Sequence, residues 1–421
     1  MPNGDNKSIV VWLKCLLICI ILILPARFYN GFYLHAFEID SNISVQYMNV
    51  VDLAIVSTTI VFILGHRKFY IERRLFRFFA FYALANAVML TAGLFCGQSD
   101  GVGELISKTT IIFCCCVVAS QFQYFSDLQK TMTYLGTLAV LVIASFFLTG
   151  YQGYGTMNRV GSLGFGTNET ACFACCLFAV ALFVKNINVW IRLGGAILSA
   201  ACVLNVASRR GMLIEIAILV IWIIVLLFKR KSSRVSIKGL ALSIVIFGGL
   251  LWVTYSRFDQ IVKYVNGSAF MIRLRFAEQY NNNFMDFSDR TQIYKNIGDY
   301  INTHLLFGAF GCDTILGQGT ISHAHNVLLQ FIATHGLFFG TIISSFFVVT
   351  TYKAIRLMID YIKYEGNGFP AVLSLFFLLY MSYDLFGYLL WNPKGLFWVG
   401  LTMFMIQMEY SSQVKRIEHE D

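Results

Sequence analysis

Histidines cluster in one part of the chain: four of the seven lie between positions 304 and 335. Two of them, His323 and His325, stand where a polar stretch meets the start of an apolar run, and Asn326 follows directly. An imidazole near neutral pH can accept a proton and release it, which suits a general base. The neighbouring amide can orient a hydroxyl. The same residues can instead form a polar cap at a helix start, and the spacing alone leaves both interpretations open.

A metal site is the less favoured interpretation of these histidines. Zinc would need a third and a fourth ligand. His304 and Asp313 are available, but their spacing matches no metal-binding pattern. We therefore expect no metal.

Three arginines have the chemistry to bind an anion, because a guanidinium is a planar fork that matches phosphate oxygens. Arg209 and Arg210 are adjacent at the start of an apolar run, and Arg290 begins a predicted amphipathic helix. The alternatives are an arginine that extends to lipid headgroups and a solvated loop residue. Asn168, which opens another apolar run after a glycine-rich stretch, is either a binding residue or part of a helix start.

Carboxylates within or near apolar runs point to a different class of protein. Asp52, Glu215 and Asp384 have this placement. Ionisable groups are costly in a membrane and tend to be paired or functional there. A proton-coupled transporter would need such groups, so transport stays open as an alternative function.

These residues are positioned by a very apolar chain, which is 57% hydrophobic and only 13% charged. Soluble domains are about a quarter charged. The expected fold class is all-α, a single transmembrane domain over 1–421 with about 12 helices of roughly 20 residues each. The predicted spans are 8–26, 46–65, 75–96, 105–125, 131–149, 168–186, 189–207, 211–228, 237–256, 325–350, 367–390 and 394–410.

Basic residues fix the predicted orientation. Lys and Arg concentrate in loops such as 66–77 and 229–238, whereas 27–46 and 97–104 are nearly free of them. Cytoplasmic loops are enriched in Lys and Arg, so both termini are predicted to be cytoplasmic. We attribute the net charge of +9 to these basic loops. We expect no nucleic-acid binding, because no basic helix with interleaved aromatics lies outside the apolar runs.

One long loop, 257–324, separates the ninth and tenth predicted helices and falls on the outer side. Its part from Arg290 to Phe307 places Ile293, Ile297 and Ile301 at helical intervals. This spacing predicts an amphipathic helix near the membrane surface.

Four motifs follow one another between residues 159 and 340. They are Arg159-x4-Gly164-x3-Asn168-x2-Ala171, Ser208-Arg209-Arg210-Gly211, Arg290-x3-Tyr294 with Phe307-Gly308-x2-Gly311, and His325-Asn326-x2-Leu329-x6-Gly336-x3-Gly340. In this order they resemble the motifs of the O-antigen ligase and O-antigen polymerase superfamily of bacterial envelope glycosyltransferases. Thr167 departs from the pattern, because the family usually has proline there.

The resemblance implies an inverting enzyme that takes a glycan from undecaprenyl diphosphate on the outer side of the bacterial inner membrane. It needs neither a metal nor another cofactor. His325 would accept the proton of the acceptor hydroxyl, and Arg209, Arg210 and Arg290 would stabilise charge on the diphosphate. Further expected substrate-binding residues are Asn168, His323 and Asn326.

The resemblance leaves the acceptor open. A polymerase adds the growing chain to a new repeat unit, and a ligase transfers the finished chain to lipid A-core. We favour the polymerase, because nothing in the sequence suggests a docking surface for lipid A-core. The expected partners are the lipid-linked donor, one of these acceptors, the bilayer and, for a polymerase, a chain-length regulator.

Overall fold

The computed structural model describes residues 43–64, 71–99, 101–121, 167–183, 188–205, 209–228, 288–313, 316, 324, 326–364, 368–384 and 393–420. Every regular element within these ranges is a helix, which agrees with the predicted all-α class. Three predicted spans, 8–26, 131–149 and 237–256, lie outside the described residues.

The helices are numbered here in chain order. They are α1 Ile43–Leu64, α2 Arg73–Phe95, α3 Val102–Gln121, α4 Thr167–Phe183, α5 Val189–Asn205, α6 Arg209–Phe228, α7 Ser288–Thr303, α8 Val327–Tyr364, α9 Gly368–Asp384 and α10 Pro393–Glu420.

Apolar side chains lie on the exposed faces of these helices as well as on the packed faces. In α6, for example, Leu213 is 68% exposed and Ile216 is 56% exposed, although the helix also contributes to the core. A helix that is apolar on its outer face belongs in lipid. Three described segments are long and apolar enough to cross a membrane, namely Arg73–Phe95, Val102–Ser120 and Val327–Tyr361. The chain is therefore an integral membrane protein.

Two packed groups of helices share α8 and α9. The first core is formed by α1, α2, α3, α8, α9 and α10, with Phe377, Phe397 and Phe404 fully buried in it. The second is formed by α4, α5 and α6 against α8 and α9, and it is rich in cysteine. Its thiols, which include Cys172, Cys175 and Cys202, pack as small apolar side chains. Residues of α8 and α9 therefore hold the two groups together.

Helix α8 reverses direction at Gly336, where the backbone has φ 72° and ψ 174°. The Ser344 hydroxyl donates a hydrogen bond of 3.1 Å to the Leu328 carbonyl, across a separation of 16 residues. In one continuous helix these residues would be about 24 Å apart. The predicted single helix 325–350 is therefore two antiparallel segments. Glycine at 336 makes the reversal possible, because a side chain is strained at this φ and a Cβ would meet the Leu306 carbonyl.

Helix α7 contains Arg290 and confirms the helix predicted in this region. The helix ends at Thr303, before the predicted end at Phe307. Ile297 is fully buried, and Ile293 and Ile301 pack beside it against Ala333 of α8. The remaining face carries exposed side chains such as Gln292 and Asp299. Helix α7 is therefore amphipathic, and its apolar side faces the protein.

Helix α10 extends beyond the predicted span 394–410 and continues to Glu420. The segment after Ser411, predicted as a tail, is thus helical. Arg74 of α2 donates a hydrogen bond of 2.9 Å to the Ser411 hydroxyl, so this part of α10 is attached to the start of α2.

Candidate active site

The predicted site residues are described to different extents. His323 and His325 lie outside the described residues. The backbones of Arg209, Arg290 and Asn168 are described, at the starts of α6, α7 and α4 respectively, but their side chains are not. Both the backbone and the side chain are described for Arg210 and Asn326.

Asn326 caps the first turn of α8. Its side-chain oxygen accepts hydrogen bonds from the backbone N–H groups of Leu328, at 3.0 Å, and Leu329, at 3.2 Å. Its own carbonyl accepts the N–H of Gln330 at 2.9 Å. This is the geometry of an N-cap, which satisfies backbone donors that have no partner within the helix. The capping interpretation of Asn326 is therefore confirmed, and it fixes the chain immediately after position 325.

Arg210 connects the start of α6 to the end of α9. Its Nη1 donates a hydrogen bond of 3.0 Å to the Tyr383 carbonyl, and its guanidinium carbon lies 5.2 Å from the centre of the Tyr383 ring. The guanidinium is partly exposed. Arg210 is therefore directed onto a neighbouring helix, which differs from an arginine that only extends to headgroups.

The segment that follows α7 docks on the reversal of α8. The N–H of Ala309 donates to the Ala333 carbonyl at 2.9 Å, and the N–H of Leu337 donates to the Leu305 carbonyl at 2.8 Å. Gly308 has φ 55°, and a Cβ there would meet the Ala333 carbonyl. The glycine is thus required both by its backbone conformation and by the close approach. These contacts join the two motifs that contain Gly308 and Gly336.

A buried polar cluster connects this segment to α3 and α8. Lys108 forms ion pairs with Glu104, at 2.6 Å, and with Asp313, at 2.9 Å. Gln330 donates from Nε2 to Asp313 Oδ1 at 2.6 Å, and its Oε1 accepts the backbone N–H of Ala324 at 2.7 Å. We call Glu104, Lys108, Asp313 and Gln330 the Gln330 cluster.

The sequence analysis did not predict this cluster. Lys108 was a usable signal, because a lone lysine inside an apolar run requires a buried partner. Glu104 lies one turn away at the spacing of a helical ion pair. The partnership with Asp313 spans 205 residues, so no local pattern predicts it.

A second set of polar side chains lies beside the Gln330 cluster. The ring of His335 is buried, its Nε2 lies 3.0 Å from Asn86 Oδ1, and its Nδ1 lies 2.9 Å from the Thr334 hydroxyl. Asn86 donates from Nδ2 to the Thr109 hydroxyl at 2.8 Å. With the Asn86 oxygen as acceptor, the proton of His335 is on Nε2. This histidine joins α2 to the tip of α8.

The carboxylates that suggested a transporter lie on three different helices, α1, α6 and α9. Asp52 accepts a hydrogen bond of 2.6 Å from the Ser107 hydroxyl. Glu215 is buried within α6, and its Oε1 has no hydrogen-bond partner among the described residues. Asp384 ends α9, and its side chain is not described. Within the described part of the chain, no group of three or more His, Cys, Asp and Glu residues is arranged to hold a metal ion.

Comparison with known families supports the resemblance seen in the motifs. Residues 194–344 match the family described as O-antigen ligase. The matched region runs from α5 into α8 and includes Arg209, Arg210, Arg290, His325 and Asn326, whereas Asn168 precedes it. Comparison with curated proteins gave no match. This match supports the predicted resemblance to the O-antigen ligase and polymerase superfamily over residues 194–344.

Proposed function

We propose that this chain, which carries an O-antigen ligase domain over residues 194–344, is a surface-polysaccharide polymerase. It would transfer a glycan from undecaprenyl diphosphate to a hydroxyl of an acceptor glycan on the outer side of the inner membrane. The observation that carries the proposal is the family match, because it covers the paired arginines, Arg290 and the His-Asn motif together.

The proposed reaction is a single displacement. The acceptor hydroxyl oxygen forms a bond to the anomeric carbon, while the bond from that carbon to the diphosphate oxygen breaks with its electron pair. His325 takes the hydroxyl proton, and undecaprenyl diphosphate leaves. Attack opposite the leaving group inverts the anomeric configuration. Neither a metal nor a nucleotide takes part in the proposed step.

Three arginines are proposed to stabilise the diphosphate as negative charge grows on it. Loss of one electrostatic group of this kind typically lowers kcat by about 10²–10³. Arg210 already turns towards the end of α9, so we assign Arg209 and Arg290 the larger share. Asn168 and His323 are proposed to contact the glycan or the diphosphate.

The proposal requires a particular topology. The chain would be one transmembrane domain with both termini in the cytoplasm, and the loop 257–324 would face outwards. A lipid-linked donor is then presented on the same side as the loop. Reporter fusions within 257–287 test this arrangement, and a cytoplasmic signal would contradict the function as well as the topology. A regulator of chain length is a further expected partner.

A ligase is the second candidate, because the matched family is described as O-antigen ligase. The two functions predict different glycan profiles in a strain that lacks the gene. Loss of a polymerase leaves single repeat units on lipid A-core. Loss of a ligase leaves bare core, while long lipid-linked chains accumulate. Gel profiles of the deletion strain and of the complemented strain distinguish the two, and an unchanged profile would contradict both.

A further inference from the structure

The Gln330 side chain connects Ala324 and Asp313, which precede it by 6 and 17 residues, by using both ends of one amide. Its Nε2 donates to Asp313 Oδ1 at 2.6 Å, and its Oε1 accepts the N–H of Ala324 at 2.7 Å. Gln330 is 1% exposed and Ala324 is fully buried, so water does not compete with these bonds. A carboxamide provides its donor and its acceptor on two separate atoms, so one side chain can hold both partners.

Asp313 is itself held in place by α3. Its Oδ2 pairs with Lys108 at 2.9 Å, and its backbone N–H donates to Glu104 Oε1 at 2.8 Å. Lys108 pairs with both carboxylates, so one ammonium group lies between the buried Asp313 and the partly buried Glu104. Bonds to charged groups are stronger than bonds between neutral ones. The carboxylate that accepts from Gln330 is therefore anchored to a membrane helix.

The residues on both sides of position 325 are held by α8. Ala324 is bound by Gln330, and Asn326 caps the helix through the N–H groups of Leu328 and Leu329. Gln330 and the capped amides belong to the first two turns of the same helix. The bonds act on backbone atoms directly before and directly after the histidine that we assign as the base.

We propose that Gln330 is a positioning residue for the transfer reaction, and that Asp313, Lys108 and Glu104 keep its amide in place. This inference rests on the proposed function, because it concerns the placement of His325 as the proton acceptor. Gln330 itself does not contact the substrate. A displacement of a catalytic group by about 1 Å can lower the rate by about 10², so release of Ala324 has a large effect on turnover.

The chain offers a matched control for Gln330. Gln407 of α10 is partly buried and also uses both ends of its amide. Its Oε1 accepts from Lys353, and its Nε2 donates to the Thr350 hydroxyl at 2.7 Å. These contacts join α8 to α10 and include no residue of the candidate site. Gln→Met removes both hydrogen bonds at either position and nearly preserves the side-chain volume.

The test uses the purified full-length chain in lipid nanodiscs, with the lipid-linked glycan extracted from the deletion strain as the probe. For Gln330→Met we expect a kcat about 10²-fold lower with an unchanged KM for the donor. Hydrogen exchange at the Ala324 amide should become faster. Gln407→Met should retain the wild-type kcat. If Gln330→Met does not accumulate, Gln330→Asn keeps the amide but shortens its reach, and the same loss of kcat is expected.

Three outcomes would overturn the inference while the proposed function stands. They are a wild-type kcat in Gln330→Met despite faster exchange at Ala324, an equal loss of kcat in Gln407→Met, and an effect on KM alone. An inactive wild-type chain would contradict the proposed function and the inference with it. If wild type transfers the glycan and the His325→Ala variant does not, the proposed function holds. A failure of the inference is then distinguishable from a failure of the proposed function.

Discussion

Two buried clusters use the same residue types for different purposes. In the Gln330 cluster, a lysine and a glutamine fix the segments that contain Asp313 and Ala324 to α3 and α8. In the second cluster, formed by Lys353, Gln407 and Thr350, a lysine and a glutamine join α8 to α10. The first contains two ion pairs and an anchored backbone N–H, whereas the second joins helix to helix through side chains.

The difference indicates where precise placement matters in this molecule. Helices that pack through apolar cores, such as α9 and α10 around Phe377 and Phe404, need few polar contacts to keep their positions. The segment after α7 contributes only a small apolar cluster, with Ala309 and Ala324 buried in it, and its backbone groups need partners of their own. Charged contacts of Asp313 hold this segment against α3, and the segment leads to the His-Asn motif.

The largest expected effect separates the two lysines. In Lys108→Met, the carboxylates of Glu104 and Asp313 lose the cation that they share, and breaking a buried pair in this way costs about 3–5 kcal/mol. Lys353 faces an amide and the ring of Tyr410, at 5.4 Å, so Lys353→Met should lower the unfolding free energy by less. Denaturant unfolding of the detergent-solubilised variants measures the difference.

The double variant Lys108→Met, Asp313→Asn sharpens this result. Removal of the second charge should recover part of the stability lost in Lys108→Met, because contacting residues are coupled. Equal losses in the two single lysine variants, or no recovery in the double variant, would show that the ion pairs do not distinguish the clusters.

Two glycines in the loop region should respond with opposite signs. Gly308→Ala places a Cβ against the Ala333 carbonyl at a positive φ, so we expect a loss of more than about 1 kcal/mol in unfolding free energy. Gly298 lies within α7 with open space around a Cβ, and alanine there should stabilise the helix by roughly 0.5–1 kcal/mol. Thermal unfolding of both variants is the measurement, and destabilisation by Gly298→Ala would refute the described packing of α7.

The smallest expected effect concerns the cap of α8. Asn326→Ala removes the acceptor for Leu328 and Leu329 and should lower the unfolding free energy by about 1 kcal/mol. Asn326→Asp keeps an acceptor oxygen and should remain near wild-type stability. Glycan assembly by the aspartate variant then reports on the amide itself. Normal assembly would mean that Asn326 acts only as a cap.

Within the described part of the chain, hydrophobicity was sufficient to predict the apolar helices but not their bends. The apolar run 189–207 appears as Val189–Asn205 and the run 75–96 as Arg73–Phe95, because a membrane helix is specified by its length and apolar content. The run 325–350 has the same content, yet the chain reverses within it at Gly336. A glycine inside an apolar run does not itself distinguish a close helix contact from a reversal.

Contacts near the candidate site were predictable only where they are local in sequence. The capping role of Asn326 depends on residues two and three positions away, so sequence reasoning could identify it as an alternative. The pairing of Lys108 with Asp313 joins residues 205 positions apart, and the bond between Gln330 and Asp313 joins residues 17 positions apart. Such contacts depend on the packing of α3 against the segment after α7, which no spacing in the sequence encodes.

The most direct test of the central claim is transfer by the purified chain in nanodiscs, measured as release of undecaprenyl diphosphate from the extracted lipid-linked glycan. Wild type, His325→Ala and His304→Ala are compared, because His304 is exposed and its ring Nδ1 lies 2.9 Å from the Thr303 hydroxyl and 3.1 Å from the Tyr300 carbonyl, both in α7. We expect release by wild type and His304→Ala, with little or none by His325→Ala. Equal release by all three would contradict the assignment of His325 as the base, and no release by wild type would contradict the transferase function.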